Sequence, residues 1–203
     1  REVVGAASLV DVAYTAGTSA GYLGSPYRFV RLYDAGDAAP TAALGHRTAV
    51  TEAVPSRRTR HAMVVGVRTR VVPGFFVLAQ ARGHADDWGL RALSATVRTS
   101  WVVAPQWTLD AEVRAHGQGR ADFYRRLYQT FPLAPAWRTA DKELGPMRTL
   151  QGGVHAQWRP LAGRLSPLTV GLGVDWIRFD YLDFAWLANR TALVTLAHVT
   201  WEP

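Results

Sequence analysis

Between Trp107 and Gln118 the chain alternates apolar and polar residues without a break. Trp107, Leu109, Ala111, Val113 and Ala115 fall in one phase, and Thr108, Asp110, Glu112, Arg114, His116 and Gln118 in the other. A period of two belongs to an extended strand, whose successive side chains point to opposite faces, so one face must meet an apolar medium and the other water. The pattern recurs. His61, Met63, Val65, Val67 and Val71 oppose Arg60, Gly66, Arg68 and Arg70, and Phe75, Val77, Ala79 and Ala81 oppose Gln80, Arg82, His84 and Asp86. Leu93, Ala95, Val97, Trp101 and Val103 oppose Ser94, Thr96, Arg98 and Ser100, and Leu150, Val154, Ala156 and Trp158 oppose Gln151, His155, Gln157 and Arg159. Leu168, Val170, Leu172, Val174 and Trp176 oppose Thr169, Gly171, Gly173 and Asp175. A softer first segment sets Val4, Ala6, Val10, Val12 and Tyr14 against Gly5, Ala7, Asp11 and Thr15, and 190 to 201 is nearly all apolar with an ambiguous register. The expectation is an all-β chain of about eight strands in a single domain, 1–203.

Although 48% of the residues are hydrophobic, polar residues interrupt every run before the roughly 20 apolar positions of a membrane-spanning helix. The first residues, Arg1-Glu2-Val3-Val4, run straight into a strand pattern without the features of a secretory signal. A processed chain, or a fragment lacking upstream strands, is the expectation. Without cysteine there are no disulfides or thiolate metal sites. The net charge is +7 and Lys142 is the only lysine, so the basic character is that of arginine. It is compatible with nucleic acid, anionic headgroups or anionic solutes.

Connections narrow the choice. Val72-Pro73-Gly74-Phe75, Ala104-Pro105-Gln106 and 160–167 read as short links, whereas 16–57, 117–147 and 179–189 are long and Asp86-Asp87-Trp88-Gly89 is a tight corner. Outer-membrane barrels alternate short periplasmic turns with longer outer loops. Phe75, Trp101, Trp107, Trp158 and Trp201 gather near the short-turn ends, with Tyr14, Trp88, Trp176 and Tyr181 assigned to the opposite ends. Two such belts are what amphipathic rings form at the two membrane interfaces. These features predict an antiparallel up-and-down transmembrane β-barrel in a Gram-negative outer membrane, surrounded by lipid and lipopolysaccharide. A soluble β-sandwich would alternate equally well, but has no reason to sort tryptophan by strand end.

Five short motifs, Gly21-Tyr22-Leu23, Ser25-Pro26-Tyr27-Arg28, Arg58-Thr59-Arg60-His61-Ala62, Asp86-Asp87-Trp88-Gly89 and Ala121-Asp122-Phe123-Tyr124, occur in an order that resembles a bacterial family of unknown function whose members look like outer-membrane β-barrels. The resemblance covers most of the chain and implies barrel architecture and an envelope location. The family's proteins are longer, with strands upstream of this stretch, so the resemblance also implies that this chain corresponds to a C-terminal portion. It implies no catalytic residue.

Arg60, Arg68, Arg70, Arg82, Arg98, Arg114 and Arg159 share the polar phase, which in a closed barrel is the lumen. Guanidinium groups there suit a small anionic solute through paired hydrogen bonds. Equally, ion pairs with Asp11, Asp86, Asp110, Glu112 and Asp175 would fill a narrow interior, the expectation that takes precedence at about eight strands. His84, Asp86 and Asp87, with His116 and Asp175, are compatible with a water-activating site of a barrel-embedded hydrolase. The same Asp-Asp-Trp-Gly run is also what a tight turn needs, and that reading carries more weight. The six histidines, His46, His61, His84, His116, His155 and His198, are scattered one per segment, so no metal is expected. No cofactor fingerprint appears. Nucleic-acid binding by a soluble basic β-domain ranks below the membrane reading, because the arginines are spread over most strands. The loops 21–33 and 121–131 mix Tyr, Phe and Arg and suit a protein partner or anionic headgroups. The resulting expectation is a non-enzymatic barrel acting as an anion-tolerant channel or as a surface binding and scaffold protein.

Overall fold

In the computed structural model, residues 2–3, 8–33, 49–129, 135–160, 168–184 and 186–202 are described. The expectations placed on residues 4–7 and 161–167, on His46 and on most of the first long loop lie outside them. Twelve strands are present among the described residues: β1 (Glu2–Val3), β2 (Ser8–Ala20), β3 (Phe29–Tyr33), β4 (Ala49–Thr51), β5 (Arg57–Val72), β6 (Phe75–Asp86), β7 (Arg91–Ala104), β8 (Trp107–Gln118), β9 (Tyr128–Gln129), β10 (Met147–Trp158), β11 (Leu168–Tyr181) and β12 (Asn189–Trp201). Nine form one sheet in the order β1-β2-β5-β6-β7-β8-β10-β11-β12, with every pairing antiparallel. β1 has two residues, which leaves eight long strands in meander order. A small sheet, β4-β3-β9, joins an antiparallel and a parallel pair.

The all-β, antiparallel, up-and-down arrangement agrees with the alternation. Ring closure is not seen: the sheet order starts at β1 and ends at β12, and no pairing joins those two edges among the described residues. No helix among the described residues is long and apolar enough to cross a membrane. Strand ends differ from the sequence pattern at the first long loop, because β2 continues to Ala20 and β5 begins at Arg57. Short polar side chains at Thr18 and Ser19 obscure the period there without breaking the ladder.

Registers fix which residues share a face, since partners directly opposite in an antiparallel pair project to the same side. One row runs Val10, Val67, Ala79, Val97, Val113, Gly152, Trp176, Leu193 across all eight long strands. The adjacent row on the other face runs Leu9, Arg68, Leu78, Arg98, Glu112, Gly153, Asp175, Val194. In β12 the ambiguity resolves with Leu193, Thr195, Ala197, Val199 and Trp201 on the apolar face. Short turns close the hairpins at one end. At Pro73-Gly74 the chain reverses with Gly74 at a φ of 78°, and the register shifts between Arg70 and Val72 and between Val102 and Ala104 fall beside these turns.

Among the described residues, no element packs against the apolar face. Val65 is 39% exposed, Leu109 41%, Val154 63% and Leu193 68%. The buried hydrophobic residues lie instead in the connections at the long-loop end. One cluster joins Trp88, Leu90, Ala121, Tyr124 and Leu144, and a second joins Val30, Leu32 and Tyr128. These two clusters form a cap beside the long-loop ends of β5–β8, with Tyr124 1% exposed. Replacing a buried aromatic by alanine costs about 3–5 kcal/mol in transfer and cavity terms. Tyr124→Ala should therefore release the cap while sparing the sheet, read as new protease cleavage within 119–146 with unchanged far-ultraviolet circular dichroism.

Candidate functional site

The corner Asp86-Asp87-Trp88-Gly89 organises the junction between sheet and cap. Asp86 Oδ1 accepts the backbone N–H groups of Trp88 and Leu90, each at 3.0 Å. Its Oδ2 accepts from Arg58 Nε at 2.8 Å and Nη2 at 2.5 Å. Asp87 Oδ1 accepts the N–H of Thr59 at 2.9 Å. The Trp88 indole N–H donates to Arg57 O at 2.8 Å, with the Arg58 guanidinium 4.4 Å above the ring and Phe123 meeting it edge-on at 5.2 Å. Gly89 takes a φ of 81°, and a Cβ there would collide with the Asp122 carboxylate. Ala121 and Asp122 are tied in turn to Leu144 O and Trp88 O. Four of the five short motifs thus meet in or beside one cluster, since Leu23 packs on it as well.

This geometry bears on the acid–histidine constellation. His84 Nε2 stands 3.7 Å from Asp86 Oδ2, but both carboxylates are committed to backbone N–H groups and Arg58. His116 bonds Ser94 Oγ through Nδ1 at 2.9 Å, and Asp175 faces His155 Nε2 at 3.2 Å. The structure does not bring those two to Asp86 and Asp87. Among the described residues no group of three His, Asp or Glu side chains could hold a metal.

Register places Arg60, Arg68, Arg70, Arg82, Arg98 and Arg114 on the polar face, with Arg159 just past β10, where its N–H donates to Gln106 O. Of the expected ion pairs, Glu112 takes Arg98 Nε at 2.7 Å and Asp175 takes His155. Asp86 takes Arg58, a residue the arginine set omitted although it shares the phase of Arg60 two positions on. Arg82 and Arg114 have no carboxylate within salt-bridge distance among the described residues, and Arg60 meets only Ser19 Oγ, at 3.5 Å. Beneath the cap, Arg28, Arg58, Arg60, Arg82 and Arg114 line a cavity of about 480 Å³, together with His84, Ser94, His116, Asp141 and Glu143. Arg28 comes from a loop and bonds Asp141. No strand periodicity points to it.

On the polar face near β10 and β11 the relief is different. His155 lies over Gly173 and Asp175 over Gly153, where a methyl group at either glycine would collide with them. The aromatic positions divide. Phe75 pairs with Trp101 and Trp107 with Trp158, and Trp201 pairs with Leu168, all near the short-turn ends of the apolar face. Trp176 shares that face but sits at mid-strand, opposite Gly152 and Leu193. Trp88 and Tyr181 are not belt residues: they are 5% and 7% exposed, buried by the cap because the corner and the β11 end fold inward. Tyr181 stacks on Phe179 and meets Phe184.

The fold and site together define a class: a capped antiparallel β-meander with an uncovered apolar face and an arginine-lined polar face. Residues 2–166 match DUF3570, a family of proteins of unknown function, and the chain belongs to that family. No curated protein and no solved structure matches the chain.

Two measurements check the cap. Asp86 is fully buried at its side chain and Arg58 nearly so. Removing one partner of such a pair strands the other charge, at about 3–5 kcal/mol, so Asp86→Ala should destabilise the cap by that order in a denaturant titration followed by Trp88 fluorescence. Asp141 supplies the pH dependence. Loss of solvent pushes its carboxyl above the ordinary range, against the pull of the Glu143 N–H and Arg28. A carboxyl raised in the folded state makes its ionised form oppose folding, so this contribution is lost as the pH rises from the unfolded value through the folded one. Protection of 119–146 from proteolysis should therefore increase on acidification from neutral pH towards the carboxylate range, and Asp141→Asn should flatten that dependence.

Proposed function

We propose that this chain contributes the wall of a transmembrane β-barrel in a Gram-negative outer membrane, with its arginine face turned to an enclosed aqueous interior and its cap over one mouth. The reading makes it an anion-tolerant passage or, where the cap closes the mouth, a surface scaffold. One observation carries it: the apolar residues of eight strands share a face that no element covers among the described residues, while the buried core lies in the loops. Leaving a Val, Leu or Phe side chain in water forgoes about 1.5–3 kcal/mol each, and hydrocarbon is the medium that recovers this along a whole face. The aromatic pairs Phe75–Trp101 and Trp107–Trp158 near the short-turn ends support an interface there. Tyr22 and Tyr27, exposed on the cap, suit a protein partner on the outer side. Carboxylates already committed to backbone and arginine weigh against the hydrolase reading. Arginines distributed over β5–β8, without forming one stripe, weigh against nucleic acid.

Refolded in detergent and added to a planar bilayer, the protein should give steady conductance steps with a reversal potential favouring anions; a silent bilayer with inserted protein assigns the scaffold role. Dispersal as a monomer in plain buffer would remove the membrane reading altogether. The face assignment has its own test. Val154→Arg at mid-strand on the apolar face should destabilise the liposome-folded protein by about 2–4 kcal/mol, whereas Gln157→Arg on the polar face should leave the unfolding midpoint unchanged.

A further inference from the structure

We infer that the cavity between the outer ends of β5–β8 and the cap binds a phosphomonoester carried on a sugar. The inference rests on the enclosed polar face argued above and names the ligand chemistry of that site. Its volume, about 480 Å³, falls within the roughly 300–1,000 Å³ of small-molecule pockets, so a bare oxyanion would leave most of it unfilled.

Charge selects the ligand. Arg28, Arg58, Arg60, Arg82 and Arg114 face the space. Asp141 pairs with Arg28 and Asp86 with Arg58, while Glu143 on the wall lies 3.9 Å from Lys142. Among the described residues those pairings leave three guanidinium charges uncompensated, those of Arg60, Arg82 and Arg114. A phosphomonoester carries about −1.5 to −2 at neutral pH and offers three acceptor oxygens, which offsets half or more of that excess. A monocarboxylate offsets about a third of it and a neutral sugar none.

Position selects the contacts. Arg28 and Arg58 are held by Asp141 and Asp86, which leaves Arg60, Arg82 and Arg114 as the guanidiniums without a carboxylate partner among the described residues. Arg82, Ser94 and His116 occupy one row across three adjacent strands, so their backbones step about 4.8 Å apart. Arg114 stands two residues before His116 on the same strand and face. Two guanidinium forks and the Ser94–His116 pair therefore converge from neighbouring strands on a small space, the arrangement that clamps a tetrahedral oxyanion through paired N–H donors. Leu23, Leu90 and Leu144 complete the wall on the cap side and suit the carbon skeleton of the ring.

Sugar phosphomonoesters reach such a site from two sources, a soluble hexose phosphate or the phosphorylated headgroup of lipid A. The test is calorimetric titration of the refolded chain in detergent with glucose 6-phosphate, glucuronate and glucose. Glucose 6-phosphate should bind about tenfold or more tightly than glucuronate, glucose should give no heat, and affinity should fall as salt is raised. The double variant Arg82→Gln/Arg114→Gln should lose about tenfold or more, with circular dichroism unchanged, while Arg178→Gln, whose guanidinium is held by Asp180 and does not line the cavity, should bind as the parent does. Competition by lipid A, absent with its dephosphorylated form, assigns the headgroup as the source; lack of competition assigns the soluble ester. Equal binding of glucose and its phosphate, parent affinity in the double variant, or equal losses in Arg178→Gln would overturn the site. The two readings fail separately. Phosphate binding that needs Arg82 and Arg114 in a protein that never inserts into bilayers retains the site and removes the barrel, and conductance without that binding does the reverse.

Discussion

The antiparallel ladder from β2 to β12 decides which side chains share a face, and because its period is two it keeps the apolar rows of the long strands apart from the arginines of β5–β8. A one-residue slip between β7 and β8 would turn either Val97 or Val113 to the arginine side. The bulges at Arg70–Val72 and Val102–Ala104 take up irregularity beside the short turns, and the long strands stay in phase up to the cap. The stability of the sheet therefore rests on cross-strand hydrogen bonds and on whatever medium covers the apolar face, and not on a core of its own.

A conventional core exists, but in the connections. It is coupled to the ladder through Asp86, the last residue of β6, whose carboxylate binds two N–H groups of the corner with one oxygen and Arg58 of β5 with the other. Arg58 covers Trp88, and Trp88 meets Phe123. A charge pair at a strand end is thereby joined to aromatic packing in a distant loop, so the cap's position over the polar face depends on a pair too buried to exchange readily with salt.

Much of this was legible in the sequence because alternation is a local signal. The phases of Arg68, Arg98, Glu112 and Val154 follow from the residues on either side of them, and the registers keep those assignments. Trp88 and Tyr181 were misplaced because the depth of a ring follows from how a loop folds, which periodicity does not encode. Arg28 was invisible as a cavity residue for the same reason: its partner Asp141 is 113 positions away. Asp86 and Asp87 were read both as turn formers and as a catalytic pair. Their hydrogen bonds favour the turn, which the Asp-Asp-Trp-Gly spacing already suggested through Asp side chains that accept backbone N–H groups.

The glycines opposite His155 and Asp175 make the two sides of the polar surface unequal. Over β5–β8 long guanidinium arms rise from the sheet, whereas over β10 and β11 the imidazole and carboxylate lie flat in the grooves left by Gly173 and Gly153. The polar face is thus lowest over β10 and β11, and its arginines are gathered on the neighbouring strands β5–β8. If this face encloses water, as proposed above, an anion passing along it would track the bristled side and leave the smooth side to water, which separates the route of the solute from that of its hydration.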